Sequence, residues 1–413
     1  MIRVAEALSH ILGDIHPLGL EKAHILNALG RVIGEDVAAP RDIPPKDNSA
    51  MDGYAIRAVD SRDATQDKPV RLRVIEEIPA GSIPQKTLGP GEAARIMTGA
   101  PLPDGADAIV RLEETTGDKD TVVISTSYKV GNDVRLAGAD VKTGEGVISQ
   151  GAVLRPAEIG MLASLGRSFI YVHQRPTVAV ISTGDELVEI DEEPSPWKIV
   201  NSNGYSNMAQ IMDCGATPLY VGIAKDTKED LTAKFNAALR ADVIVSSGGV
   251  SLGDYDFVKD VIAESGHAMH FWQVAMRPGK PLVYGRVGGK PFFGLPGNPV
   301  SSMVSFEQFV RPAILKMMGC RNLYRRTIRV PLEEDISKVK GLTFFIRARI
   351  EWQDGRYRIM TTGDQSSGIL KSMVKANGLV VLPEEVTELK KGDEVTVQLI
   401  DHGFCTTPEP QYL

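Results

Sequence analysis

At 413 residues the chain is too long for one ordinary core and suits two to four domains. Hydrophobic residues make up 43% and charged residues 24%, a soluble globular profile, and a net charge of −7 leaves no basic surplus for a nucleic-acid partner. Three scattered cysteines (Cys214, Cys320, Cys405) have no C-x-x-C spacing, which argues against a disulfide framework or zinc site. No run of about 18 apolar residues is present to span a membrane, so the expected compartment is the cytoplasm.

In chain order, Val4, Ala7, Leu8, Ile11 and Leu12 recur at helical spacing. They predict an amphipathic helix over 2–14 rather than an export signal, and a second helix is expected over 20–32. Short β segments follow at 70–75, 108–112 and 121–125, separated by turn-rich stretches such as PAGSIP and GAPLPDGAD. Helices followed by short strands predict an α+β part, non-contiguous in sequence.

The rhythm changes near Arg175. RPTVAVIS, TPLYVGIA, ADVIVSS, AMHFWQVA, PLVYG and PFFGLP read as strands. Between and after them, 203–214, KEDLTAKFNAALR, YDFVKDVIAESG and SSMVSFEQFVRPAILKMMG read as helices. Alternating strands and helices predict an α/β domain with a mostly parallel sheet covered on both faces. From about 327 short alternating strands (TIRVPLEE, TFFIRARIEW, RYRIMTT, GLVVLP, EVTVQLI) predict a small C-terminal β-barrel or sandwich.

Ligands of an open parallel sheet bind beyond the carboxyl ends of its strands. The loops expected there hold Thr183-Gly184-Asp185-Glu186, then Asp226, then Gly248, Gly249, Ser251, Gly253, Asp254 and Asp256. Arg277-Pro278-Gly279-Lys280 and Pro296-Gly297-Asn298-Pro299 follow. Glycines between a strand and a helix let backbone N–H groups approach an anion, and the plainer reading is a tight turn capped by Asp254. Glu186, Asp226 and Asp256 have the chemistry to hold a hard cation such as Mg²⁺, although each alone could be a helix cap. Arg277 and Lys280 flank a Pro-Gly turn and suit a phosphate or oxyanion, the plainer alternative being two solvated cations. The histidines form no metal set: His267 and His270, at i,i+3 on an expected strand, point to opposite faces.

The combination of segments resembles the MoeA/gephyrin-E family over essentially the whole chain. PPKDNSAMDGYA (44–55), IMTGAP (96–101), GADA (105–108), Val134-Arg135 with Gly138 and Asp140, the Thr183–Glu186 turn, SGGVSLGDYDFVK, RPGKP and GLPGNPVSS carry it. The resemblance implies a homodimer with an elongated, non-contiguous N-terminal linker and dimerisation domain (1–45 and 141–175) and a β-rich domain (46–140). An α/β molybdopterin-binding domain (176–326) and a C-terminal β domain (327–413) complete it. Members of the family cleave adenylated molybdopterin, releasing AMP, and transfer molybdate to its dithiolene with Mg²⁺ or a similar cation assisting. The implied partners are therefore adenylated molybdopterin, molybdate, a second copy of the chain and other proteins of molybdenum cofactor biosynthesis, with no nucleic acid or membrane.

By motif, Glu186, Asp226 and Asp256 become the acidic groups around the cation and phosphates. Ser251, Arg277 and Lys280 become the anion-holding set, with Pro296, Gly297 and Asn298 shaping the pocket. Arg347 in FIRAR and Ser367 in QSSG resemble positions near the molybdate or the pterin. Asp52, Thr98, Arg135 and Asp140 would come from the opposing subunit. Arg277 stands where many relatives have Lys, and Gln273 where some have Lys, so charge is kept at one position and lost at the other.

Three other readings compete with this one. A molybdopterin adenylyltransferase needs only the α/β unit and leaves the flanking parts unexplained. An interaction scaffold has no fused second α/β domain to support it. A tungstate-inserting relative cannot be separated on physical grounds, because the two oxyanions have the same shape and nearly the same size.

Overall fold

A computed structural model describes residues 1–249, 269–353, 355–401 and 403. Ser251 and Asp256, with Gly253, Asp254, His267, the helix expected over 255–266 and the tail from Cys405, lie outside the described residues. The chain divides into two compact units, one of residues 1–23, 28–34 and 171–413, the other of 24–27 and 35–170. Among the described residues no helix is long and apolar enough to cross a membrane.

The 35–170 unit is built on a six-stranded sheet. Its order is Ala108–Arg111, Gly53–Ile56, Glu92–Ile96, Val70–Ile78, Thr121–Ile124, Thr115–Gly117. Side chains alternate across a strand, so Tyr54 and Ile56 join Leu72, Val110 and Ile124 on one face. Ala55 faces the other way and packs with Ile78, Ile96 and Ile109. Gly53 sits where two strands nearly touch: a Cβ there would lie 1.9 Å from the Val110 carbonyl oxygen.

In the other unit the helix Val4–Asp14 turns Ala7 and Ile11 into the core, as its spacing predicts. The second expected helix does not form. Leu20–His24 is a strand paired with Phe169–His173, and Ile25–Ala28 is a single 3-10 turn. Ala23, Ile25, Ala28 and Val32 are buried, whereas Leu26 is 69% and Leu29 50% exposed. The segment buries its apolar residues as a paired strand and a single turn, so the local helical preference loses to strand pairing.

The α/β sheet has the order Thr217–Ala224, Thr177–Thr183, Val243–Ser247, Lys290–Leu295, Pro281–Val287, Met269–Gln273. The first four strands are mutually parallel, and Pro281–Val287 runs against both its neighbours. Met269–Gln273 therefore points the same way as the parallel set, and its carboxyl end opens on the same edge. One face packs against a large core that includes Ile11, Ile211 and Phe309, and the other against Leu231 and Phe235. The helix expected as one piece over 301–319 is α-helical at Pro299–Ser305 and Arg311–Met317, with a π turn at Phe306–Val310 between them. Pro312 lacks a backbone N–H and crowds the carbonyl four residues earlier, which a wider turn relieves.

The C-terminal strands form a curled sheet ordered Met276–Arg277, Thr343–Gln353, Gly378–Leu382, Glu394–Leu399, Thr327–Pro331, with Arg356–Thr361 beside Thr343–Gln353. A bridge from Leu332 to Ile359 brings the ends together, giving the expected barrel-like form. The sheet also takes in a strand of the α/β layer: Met276 pairs with Thr343 and Arg277 with Phe344. Replacing Gly53 by Ala is expected to lower stability by about 2–3 kcal/mol through this overpacking, read as a lower urea midpoint at unchanged m-value.

Candidate active site

Along the carboxyl edge of the α/β sheet, the loops fall in strand order with a change of charge. Asp226 follows the outermost strand and Gly184-Asp185-Glu186 the next, then come Gly248-Gly249 and Pro296-Gly297-Asn298, and Arg277 and Lys280 close the row. Five steps of about 4.8 Å give an edge roughly 24 Å long. The chain leaves Thr177–Thr183 in one direction to form Thr217–Ala224 and returns on the other side to form Val243–Ser247, so the topological switch point, where a crevice is expected beyond the strand ends, falls between Thr183 and Gly248. Gly248 has φ +90°, and a Cβ on it would sit 2.5 Å from the Thr183 carbonyl oxygen. A Cβ on Gly297 would lie 3.7 Å from Gly248 Cα, so three loop backbones converge here. Asn203 holds the outer one by donating its side-chain N–H to the Gly297 carbonyl at 2.7 Å.

At the acidic end, the Asp226 backbone N–H donates to Asp185 Oδ1 at 3.2 Å. Glu186 folds back over Gly184, which has φ +143° and where a Cβ would meet its carboxylate at 2.4 Å. Partial desolvation, and then the charges of Asp185 and Glu186, push the Asp226 carboxyl above the usual carboxylate range, and a hydrogen bond from the Asp185 backbone only partly offsets this. Among the described residues no three acidic, His or Cys side chains already form a metal-ligating group. The third expected carboxylate, Asp256, lies outside them.

The basic end opens into a cleft of about 1100 Å³ between the α/β layer and the C-terminal sheet. Arg277, Lys280, Asn298, Arg347 and Ser367 all line it. Arg347 shares a strand face with Phe345, turned towards the seam, and is only 1% exposed. Its Nε donates to Ser372 Oγ at 3.1 Å and its Nη2 to the Ser366 carbonyl at 3.2 Å. Gln365 holds the same backbone, accepting from the Arg347 N–H at 2.9 Å and donating to the Arg347 carbonyl at 3.1 Å. No carboxylate among the described residues is in ion-pair contact with this buried guanidinium. Burial pushes its pKa down to about 10, with Arg277 adding to the effect and Asp364 opposing it from a distance.

Acidic residues of the same cleft are already engaged. Glu334 accepts from the Thr361 N–H at 2.5 Å, Asp335 from the Lys391 N–H at 2.8 Å and Asp364 from the Ser366 N–H at 2.7 Å. Lys338 lies 5.2 Å from the Phe344 ring centre and already donates its Nζ to the Leu342 carbonyl at 2.8 Å, whereas Arg277 lies 5.6 Å from that ring. Arg277 and Lys280 are thus the cationic heads of the cleft that have no hydrogen-bond or ion-pair partner among the described residues. Val300, at the start of the helix after Asn298, donates its N–H to the Ser367 carbonyl at 3.1 Å, which fixes the QSSG loop against the PGNP loop.

In the 35–170 unit, Asp52 Oδ1 accepts both the N–H and the hydroxyl of Thr98, each at 2.7 Å, and those bonds hold its carboxyl below the usual range. Arg135 pairs in register with Asn48, and the Ser49 N–H donates to the Ala100 carbonyl at 3.0 Å, so the 47–52, 97–101 and 134–135 segments are knit together. Asp140 sits on a neighbouring turn, with its N–H on the Ile43 carbonyl at 2.9 Å. Sequence reasoning did not single out Phe344, Lys338, Glu334 or Gln365 as cleft residues. The alternation of TFFIRAR carries part of that signal, since it puts a charged residue on the same face as Phe345.

Replacing Arg347 by Met keeps most of the volume and removes an unpaired buried charge. Thermal stability is expected to stay level or rise, because a hydrophobic isostere avoids the desolvation penalty, while oxyanion binding in the cleft is expected to fall. A fall in Tm together with unchanged oxyanion binding would mean that Arg347 is a structural strut instead.

The chain matches the family model described as MoeA N-terminal region (domain I and II) over residues 2–166. It also matches a probable molybdopterin binding domain over 179–316 and the MoeA C-terminal region (domain IV) over 329–400. It is 41% identical to molybdopterin molybdenumtransferase 2 of Mycobacterium tuberculosis over 90% of this chain and 93% of that one. With a molybdopterin molybdenumtransferase of Staphylococcus aureus it shares 36% identity over 97% and 96% of the two chains. The crystal structure of a molybdopterin biosynthesis moeA protein from Pyrococcus horikoshii superposes with a TM-score of 0.83 at 30% identity, covering 97% of this chain and all (100%) of that one. Both the matched regions and these full-length likenesses lead to one conclusion: the chain belongs to the MoeA family.

Proposed function

We propose that this chain is a molybdopterin molybdenumtransferase, which cleaves adenylated molybdopterin to release AMP and loads molybdate onto the dithiolene. The observation that carries this reading is a buried guanidinium, Arg347, with no carboxylate partner among the described residues, in a cleft shared with Arg277 and Lys280. Such a group is stabilised when an oxyanion enters, and a tetrahedral metalate suits the planar fork of two arginines and the point charge of a lysine. The names of the relatives point to the same chemistry.

The reaction brings an anionic metalate to an anionic ligand while a phosphoanhydride opens, so like charges must be held together. Arg277, Lys280 and Arg347 would hold the metalate, with Ser367 at its rim. Gly248, Gly249 and Gly297 would let backbone approach the organic substrate along the crevice beside Thr183 and Gly184. At the acidic end, Glu186 and Asp226, with Asp185 and Asp256, offer the hard oxygen donors that Mg²⁺ prefers. Partial desolvation first, and then the charges of Asp185 and Glu186, raise the proton affinity of Asp226, and a bound divalent cation would oppose that shift. When bound, such a cation would neutralise phosphate charge during the cleavage. Asp52, Thr98, Arg135 and Asp140 would complete the site of a second copy in a cytoplasmic homodimer.

Purified protein supplied with adenylated molybdopterin, Mg²⁺ and molybdate or tungstate should release AMP together with metal-loaded pterin, and the preferred oxyanion would settle the choice between the two metals. Lys280→Ala should raise the molybdate KM about tenfold with little change in Tm. An adenylate that stays intact with both oxyanions would refute the assignment. Mg²⁺ should also draw the Asp226 titration, followed by carboxyl NMR, down towards the ordinary range, and a curve insensitive to Mg²⁺ would remove the cation from this end of the site.

A further inference from the structure

Beside the Thr183–Glu186 turn and the start of the helix Ser202–Asp213 runs a chain of hydrogen bonds that begins at the half-buried Glu189 and Tyr220 and ends in buried side chains. The Tyr220 hydroxyl donates to the Glu189 carboxylate, 2.7 and 2.9 Å from its two oxygens. Asn201 Nδ2 donates to Tyr220 Oη at 2.9 Å, Ser182 Oγ donates to Asn201 Oδ1 at 2.9 Å, and Ser247 Oγ donates to Ser182 Oγ at 3.4 Å. Asn201, Ser182 and Ser247 are 1%, 0% and 2% exposed, so bulk water does not substitute for these bonds.

The direction of the chain is forced. A backbone N–H can only donate, and that of Gly204 meets Asn201 Oδ1 at 3.0 Å, which fixes this atom as the amide oxygen. The amide nitrogen must then face Tyr220, whose oxygen accepts and whose proton goes to Glu189. Ser182 faces a carbonyl oxygen and must donate to it, so its own oxygen is left to accept from Ser247. Every proton is committed towards Glu189, which is the only pure acceptor at the end of the series.

We propose that Glu189 is a positioning residue for the organic-substrate crevice. Its acceptor oxygens orient Asn201, the N-cap of the helix Ser202–Asp213, and through it the strand ends that lead into Thr183-Gly184 and Gly248-Gly249. This rests on the reading of that crevice as the adenylated-pterin site. Glu189 itself need touch no substrate. Without an acceptor at 189 the Tyr220 hydroxyl loses the partner that holds it in place, its oxygen anchors the Asn201 amide less firmly, and the helix start loosens.

The test compares Glu189→Gln, which keeps an acceptor oxygen, with Glu189→Leu and Tyr220→Phe, which break the series. The latter two should raise the KM for adenylated molybdopterin about tenfold while the molybdate KM stays within about twofold, and Glu189→Gln should stay within about threefold on both. Hydrogen exchange at the Gly204 amide should speed up in Leu and Phe variants and not in the Gln variant. A wild-type adenylate KM in Glu189→Leu, equal losses for both substrates, or a Gln variant as impaired as the Leu one would each overturn the proposal. Should Glu189→Leu not fold, Tyr220→Phe carries the same comparison. Should the wild-type protein cleave no adenylate, the functional reading fails by itself, and Gly204 exchange still decides whether Glu189 positions the helix start.

Discussion

A guanidinium buried without a carboxylate is expensive, and the seam between the α/β layer and the C-terminal sheet is built around one that has no such partner among the described residues. Arg347 is held by Ser372, by the Ser366 carbonyl and, through its backbone, by Gln365. These neutral partners satisfy part of its hydrogen-bonding capacity and none of its charge. Arg277 adds a second positive charge across the same cleft, its backbone drawn there by pairing with Phe344. A fold selected for stability alone would place a hydrophobic residue or an acid at 347. On the proposed function, keeping the charge free would stabilise an incoming oxyanion at the expense of the empty protein.

The remainder of the edge complements this. Acidic and basic groups sit at opposite ends of a row of loops with glycine backbones between them, so a cation and an oxyanion bound as proposed would not neutralise one another directly. Two further constraints keep the row in order: Asn203 fixes the Gly297 loop, and the series from Ser247 to Glu189 fixes the strand ends. Both act through hydrogen bonds that can be made in one direction only. That gives the crevice a defined shape without a large apolar lining.

Much of this was legible in the sequence, for physical reasons. Strands such as TVAVIST and VIVSS are continuous apolar runs because both faces of the sheet are covered, and the loops after them stood out by their glycines and charges. The strand Met269–Gln273 also delivers Arg277 and Lys280 to the expected edge. The helix expected over 20–32 failed because local periodicity does not reveal that Leu20–His24 has a strand partner far along the chain in Phe169–His173. Arg347 and Ser367 came from resemblance alone, since nothing local in FIRAR or QSSG announces that two distant segments close over one guanidinium. The Glu189 series was equally hidden: it joins four segments of the chain, and its meaning lies in which atom donates to which.

The most direct test of the account is a crystal soaked with molybdate and measured at the molybdenum absorption edge. The account predicts an anomalous peak in the cleft, with oxyanion oxygens within hydrogen-bond reach of Arg347 and Lys280. A peak confined to the acidic end near Asp226, or a cleft that stays empty at saturating molybdate, would contradict it.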